Sequence, residues 1–163
     1  MKLEVVRADI TSLEVDAVVN AASPRMRGGG GVDGAIHAAA GPGLLAECVA
    51  RFPSGLATGD AGWTTGHDLP ARWVVHVVGP DRRAGQTDPR LLASCYRRAL
   101  EVADELGAAT LAFPLVSAGI YAWPVDDAAE IAVSTVRAAT TSVEHVTFAA
   151  FGDGAYAALS TSV

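Results

Sequence analysis

The chain has 163 residues, half of them apolar and only 18% charged. That fits one self-sufficient globular domain over residues 1–163 and excludes a disordered chain. Twelve basic residues against eighteen acidic ones leave a net charge of −6, so no global field favours polyanions and general coating of DNA or RNA is excluded.

The predicted elements alternate between strand and helix. Leu3–Val6 reads as a first strand, and Asp16–Asn20 is the β-branched, nearly continuous apolar run of a buried one. A loop, Ala21–Gly31, leads to a helix over Val32–Ala40 that stops at Gly41-Pro42-Gly43. A second helix, Leu44–Arg51, ends at Phe52-Pro53. Asp60–Thr65 reads as a strand in an edge region and Trp73–Val78 as a strong strand, followed by a polar loop carrying Arg82 and Arg83.

Asp88 then caps a helix with Pro89 at its first position. Leu91, Leu92, Cys95, Tyr96, Leu100 and Ala103 follow at helical spacing until Gly107. Thr110–Val116 is another buried strand, with Pro114 near its carboxyl end. Val125–Ala139 is a helix whose Asp126, Asp127 and Glu130 suit the positive end of the helix dipole. Val146–Phe151 reads as the last strand and Ala155–Leu159 as a closing helix. The pattern predicts an α/β fold with a mostly parallel sheet covered on both faces.

Cys48 and Cys95 have no Cys or His at metal-ligand spacing. They read as buried free thiols of a reducing compartment, and no zinc site is expected. No apolar run has the length of a membrane span or signal peptide. The expectation is a soluble, cytoplasmic monomer without membrane contact.

Ligands of such folds lie outside the carboxyl ends of the strands. That rule selects Ala21–Gly31, Ser117–Trp123 and the turn after Phe151. Four glycines, Gly28, Gly29, Gly30 and Gly31, stand in the first, with Gly34 close behind. They let backbone N–H groups approach a ligand and lead into a helix N-terminus, which together make a phosphate site. The alternative is a merely flexible loop. Gly29, Gly31 and Gly34 match GxGxxG, but eight residues separate the run from its strand and no acidic residue follows at the required distance, so a Rossmann site is excluded. No Gly-Lys-Ser/Thr occurs, which excludes a P-loop. In the second loop, Ser117, Ala118, Gly119, Ile120 and Tyr121 are small enough at the start to close on a diphosphate from the other side. Tyr121 reads as a flat face for a sugar or as a rim aromatic.

Several segments resemble the macrodomain family of ADP-ribose-binding modules: Ala8-Asp9-Ile10-Thr11, Ala17–Ala22, Gly28–His37 (GGGGVDGAIH), Leu69-Pro70, Val75–Pro80 (VHVVGP) and Phe113–Pro124 (FPLVSAGIYAWP). They lie in family order. The similarity is greatest to the group containing O-acetyl-ADP-ribose deacetylases and hydrolases that remove mono-ADP-ribose from acidic side chains. The resemblance implies a three-layer α/β/α sandwich around a six-stranded mixed sheet, no metal or redox cofactor, and ADP-ribose or an ADP-ribosylated protein as partner.

It also implies roles. Asp9, with Ile10 beside it, meets adenine, although Asp9 also reads as an N-cap. Phe151 packs against adenine or is a core residue at a strand end. Gly29, Gly30, Gly31 and Val32, with Ser117, Ala118, Gly119, Ile120 and Tyr121, hold the diphosphate. Asn20 contacts the distal ribose or shapes its loop. Asp33 orients or deprotonates a water there, or only caps its helix. Asn20, Asp33 and Ser23 form the candidate catalytic set. Ser23 stands where the group usually has a second Asn, Ala8 replaces a Gly, and Arg82-Arg83 replaces a common Trp. The turn Gly152-Asp153-Gly154 is more flexible than usual. Three functions follow: an ADP-ribosyl ester hydrolase, a non-catalytic reader, and a phosphatase of ADP-ribose 1″-phosphate. A Ser117 triad would need His37, His67, His76 or His145 brought in by the fold, and His76 itself reads as a hydrogen-bonded core histidine.

Overall fold

The computed structural model describes residues 1–163. The strands are β1 (Lys2–Arg7), β2 (Ala17–Ala21), β3 (Ala61–Thr65), β4 (Trp73–Val77), β5 (Thr110–Phe113) and β6 (His145–Ala150). The helices are α1 (Gly31–Ala40), α2 (Pro42–Arg51), α3 (Pro89–Leu106), α4 (Val125–Ala138) and α5 (Asp153–Ser162). One six-stranded sheet runs in the order β1-β6-β5-β2-β4-β3. Every neighbouring pair is parallel except β3 with β4.

Alternation along the strands sorts side chains into two cores. Val19, Val75, Val77, Leu111, Phe113, Val146 and Phe148 face α3, α4 and α5. Val18, Val74, Ala112 and Ala149 face the other way, onto Ile36 of α1 and Leu44 and Cys48 of α2. The result is the expected three-layer sandwich. Phe113 stacks on Phe148 at 6.0 Å and meets Tyr96 at 4.9 Å between ring centroids. Burial of such side chains contributes roughly 1.5–3 kcal/mol each. No helix is long and apolar enough to cross a membrane.

Most boundaries shift from the sequence reading by one or two residues, and three of the differences bear on the site. β5 stops at Phe113, because Pro114 has no N–H to continue a ladder. Beyond it, the Tyr96 hydroxyl accepts the Val116 N–H at 3.0 Å, so a buried side chain continues what the strand cannot. β6 stops at Ala150, and Phe151 is a free-standing residue with 95% of its surface exposed. The closing helix is longer than expected, running from Asp153 to Ser162. Gly41, at φ +83°, ends α1 and opens α2 in one residue, and Pro42 takes the first position of α2.

Candidate functional site

After β2 the chain turns towards the α1/α2 face, while after its neighbours β4 and β5 it turns towards α3 and α4. The connections splay apart and open a crevice outside the strand ends. Two of its walls are residues 22–30 and 114–124.

The first wall is pinned on the side that leads into the glycines. Met26 turns through φ +60° to bury its side chain, and the next residue, Arg27, anchors the segment to α2. The Arg27 guanidinium donates to the carbonyls of Arg25 (3.0 Å), Met26 (3.2 Å) and Phe52 (3.1 Å). The Leu56 N–H bonds the Pro24 carbonyl at 2.8 Å.

Gly28 (φ +85°) and Gly31 (φ +60°) supply conformations that other residues avoid. Gly29 and Gly30 are small for a different reason. A Cβ on Gly29 would stand 3.2 Å from Asp33 Oδ2, and one on Gly30 would stand 3.3 Å from Ile120 Cδ1. No side chain caps α1, so its first-turn N–H groups, including those of Val32 and Asp33, keep their capacity for an anion.

Ile120, 55% exposed, crosses from the second wall towards Gly30 and Gly31. Ser117 sits at φ +66° and is 7% exposed, a left-handed conformation costing on the order of 1–3 kcal/mol outside glycine. Its carbonyl accepts the Trp123 N–H and that of Gly119 accepts the Ala122 N–H, both at 3.0 Å, folding Ser117–Trp123 into a compact turn around Ala118. Tyr121 is half-buried, and its carbonyl takes the Arg82 N–H at 3.0 Å. Burial pushes its phenol pKa up, with the Asp81 and Asp33 carboxylates acting in the same direction and Arg83 against them.

Where β2 ends, Asn20 faces the α1 layer with no exposed surface. Its Nδ2 donates to Asp33 Oδ1 at 2.9 Å and lies 3.1 Å from His76 Nδ1. Asp33 is an ionisable residue only 4% exposed. Its Oδ1 is approached from the next turn by His37 Nε2 at 3.4 Å, while Oδ2 has no protein hydrogen bond and faces Gly29. Asn20 Oδ1 and Ser117 Oγ are buried without a partner. Each such group costs on the order of 1–3 kcal/mol. Two of them beside one crevice mark a place for a hydroxyl-bearing ligand.

The far end of the crevice lies beyond β1 and β6, whose register pairs Arg7 with Ala150. Asp9 and Phe151 follow those residues closely. Asp9 is exposed and caps the 3-10 turn Ile10–Ser12, its Oδ1 accepting from Thr11 N (2.9 Å) and Thr11 Oγ1 (2.7 Å). Those bonds, the hydroxyl's first, hold its carboxyl below the usual range. Oδ2 receives no protein donor. Ile10 is a core residue, 5% exposed.

Two expectations change. Phe151 is not packed into the core at a strand end; its ring stands in solvent, available to another flat surface. Ser23 does not join Asn20 and Asp33. Its hydroxyl donates to the Gly28 carbonyl at 3.3 Å and braces the glycine loop. Ser117 has no histidine partner and forms no triad.

His37 is a neighbour of Asp33, whereas the sequence reading weighed it only as a partner of Ser117. Its spacing of four from Asp33 on a helix was the available signal. No group of three or more His, Cys, Asp or Glu side chains converges as a metal site. A surface groove between α4 and α5, lined by Asp126, Glu130, Arg137 and Ala157, shares none of these residues and holds no orphaned polar atom.

Residues 19–132 match the Macro domain family. A macro domain-containing protein of Streptomyces coelicolor is 52% identical over 160 residues, 96% of this chain and 95% of the relative. An ADP-ribose glycohydrolase of Xenopus laevis is 50% identical over 138 residues, 83% of this chain and 32% of its own length. Among solved structures, the Oceanobacillus iheyensis macrodomain with ADP superposes with a TM-score of 0.92 at 37% identity, covering 98% of this chain and 88% of that one. The Trypanosoma brucei macrodomain in complex with ADP-ribose superposes with a TM-score of 0.90 at 39% identity, covering 98% and 68%.

Proposed function

This chain belongs to the macro domain family, and we propose that within it the protein is a hydrolase that binds ADP-ribose and cleaves the ester joining its distal ribose to an acidic protein side chain. Deacetylation of O-acetyl-ADP-ribose is the same chemistry on a smaller acyl group. In this reading adenine lies between Asp9 Oδ2 and the Phe151 ring. The diphosphate lies between the glycine loop and Ser117–Tyr121, and the distal ribose reaches Asn20 Oδ1. The complexes of the Oceanobacillus and Trypanosoma relatives with ADP and ADP-ribose support the ligand, and the Xenopus glycohydrolase supports hydrolytic release of ADP-ribose.

The observation that carries catalysis is the division of labour on Asp33. Oδ1 is fixed by Asn20 and flanked by His37, and Oδ2 is left to act. Oδ2 takes a proton from water as the water oxygen adds to the ester carbonyl. The bond from that carbon to the ribose oxygen then breaks, and the ribose oxygen recovers the proton. The products are a free carboxylic acid and ADP-ribose. General base catalysis of this kind is worth roughly 10²–10⁴-fold.

A reader without turnover is the second reading, favoured by the Ser23 hydroxyl being committed to the Gly28 carbonyl. Release of ADP-ribose from a Glu-modified protein separates the two, with calorimetric binding of ADP-ribose as the control. Binding without release establishes the reader, and no binding at high micromolar ligand ends both readings. The free, buried Cys48 and Cys95 support work in a reducing compartment such as the cytoplasm. Burial pushes their thiol pKa values up to about 11 and about 12, which keeps them unreactive.

A further inference from the structure

We propose that His76 is a positioning residue for this reaction: held from behind by Thr64, its ring fixes the Asn20 amide, and through it the Asp33 carboxylate. The inference rests on the hydrolase reading above.

Four polar side chains form a line through an apolar layer. Thr64 on β3, His76 on β4 and Asn20 on β2 have no exposed surface, and Asp33 on α1 is 4% exposed. The sheet register sets Asn20 beside His76, and Thr64 one strand further out. They share a sheet face with Val18 and Val74, which pack in one apolar cluster with Ile36, Leu44 and Cys48. Burying polar groups there costs free energy, and replacing a whole network with apolar side chains is often neutral or stabilising. Packing alone therefore gives no reason to keep them.

Proton accounting gives one. A carboxylate only accepts, so the Asn20 amide presents nitrogen, not oxygen, to Asp33. Nδ2 has two hydrogens. One goes to Asp33 Oδ1 at 2.9 Å, and the other points to His76 Nδ1 at 3.1 Å. His76 Nδ1 must then be bare, and the ring proton sits on Nε2, 2.9 Å from Thr64 Oγ1, which accepts it. With both amide hydrogens spent, Asn20 has a single orientation. Its Oδ1 is aimed away from both partners and free for a ribose hydroxyl. Thr64 thus sets the tautomer, the tautomer sets the amide, and the amide sets which carboxylate oxygen of Asp33 is free.

The ring must stay neutral for this to hold, since a proton on Nδ1 would oppose the amide hydrogens. Burial lowers its pKa to about 3, with His37 on α1 acting in the same direction and Glu47 on α2 against it. The edge of Phe52 closes the remaining side at 6.2 Å.

The test compares His76→Leu, His76→Gln and Thr64→Val with wild type, by release of ADP-ribose from a Glu-modified protein and by calorimetry with ADP-ribose. A glutamine accepts through oxygen and donates through nitrogen, so it reproduces the link that leucine lacks. The expected result is kcat reduced 10- to 100-fold in His76→Leu, with ADP-ribose affinity within about threefold, and at least a tenfold recovery in His76→Gln. Thr64→Val, nearly isosteric, is expected to lower kcat about fivefold. In the unliganded protein, long-range ¹H–¹⁵N NMR is expected to show the Nε2–H tautomer of His76. Unchanged kcat in folded His76→Leu, or equal losses with leucine and glutamine, overturns the positioning role. If His76→Leu does not fold, unchanged kcat in Thr64→Val overturns it. An Nδ1–H tautomer in wild type also overturns it. Absence of wild-type turnover, with the Nε2–H tautomer present, overturns the hydrolase reading underneath.

Discussion

Gly34 and Gly29 are in backbone contact: a Cβ on Gly34 would lie 2.6 Å from the Gly29 carbonyl oxygen. Gly34 belongs to α1, where alanine normally outscores glycine by about 1 kcal/mol. Here the sign reverses, because the obstacle is backbone and cannot swing aside. Gly34→Ala is expected to lower stability by about 1–3 kcal/mol and to weaken ADP-ribose binding at least tenfold by pushing the glycine loop outward. Thermal unfolding and calorimetry on the same variant read both effects.

Asp33→Ala removes the candidate base and leaves the glycine loop and the second wall in place. ADP-ribose affinity is expected to stay within a few-fold, while release from a Glu-modified protein falls by roughly 10²-fold or more. Unchanged release would remove Asp33 from the mechanism.

Phe151 is 95% exposed, so its truncation costs the fold almost nothing. Phe151→Ala is expected to change unfolding stability by less than about 0.5 kcal/mol. Loss of aromatic stacking, worth roughly 0.5–1.5 kcal/mol, is expected to weaken ADP-ribose by about two- to tenfold. AMP, which has the adenine end alone, should show the same loss.

Protonation of His76 couples stability to acidity. Its folded pKa is lowered to about 3 by burial, whereas the unfolded ring titrates near 6.5. Between those values the unfolded chain binds the extra proton. The contribution is therefore present above pH 6.5 and lost as the pH falls towards 3, with a slope of up to about 1.4 kcal/mol per pH unit. Chemical denaturation between pH 7 and 4.5, above the range of most carboxylates, should show the slope in wild type and lose it in His76→Gln.

Much of this was legible in the sequence because it is local. Asp9 capping the turn after it and Asp88 capping α3 need only a few neighbouring residues, as do the glycine loop and Pro89. The alternation of elements gave the layers. His76 was legible as a bonded histidine, but its partners were not, since 56 positions separate it from Asn20 and only the β2–β4 register joins them. Ser23 misled for the opposite reason: a local carbonyl, Gly28, took the hydroxyl of a residue that the motif had grouped with Asn20 and Asp33. Phe151 looked like strand because its composition continues β6, yet β1, the only neighbour on that side, pairs no further than Arg7 with Ala150.

That pairing also has a consequence in time. β1 lies at the sheet edge with β6 as its sole partner, and the paired residues stand 143 positions apart. Asn20, Asp33, His76 and Thr64 all leave the ribosome before β6 does. Asp9 leaves earlier still, yet its end of the crevice is the last to gain its sheet partner.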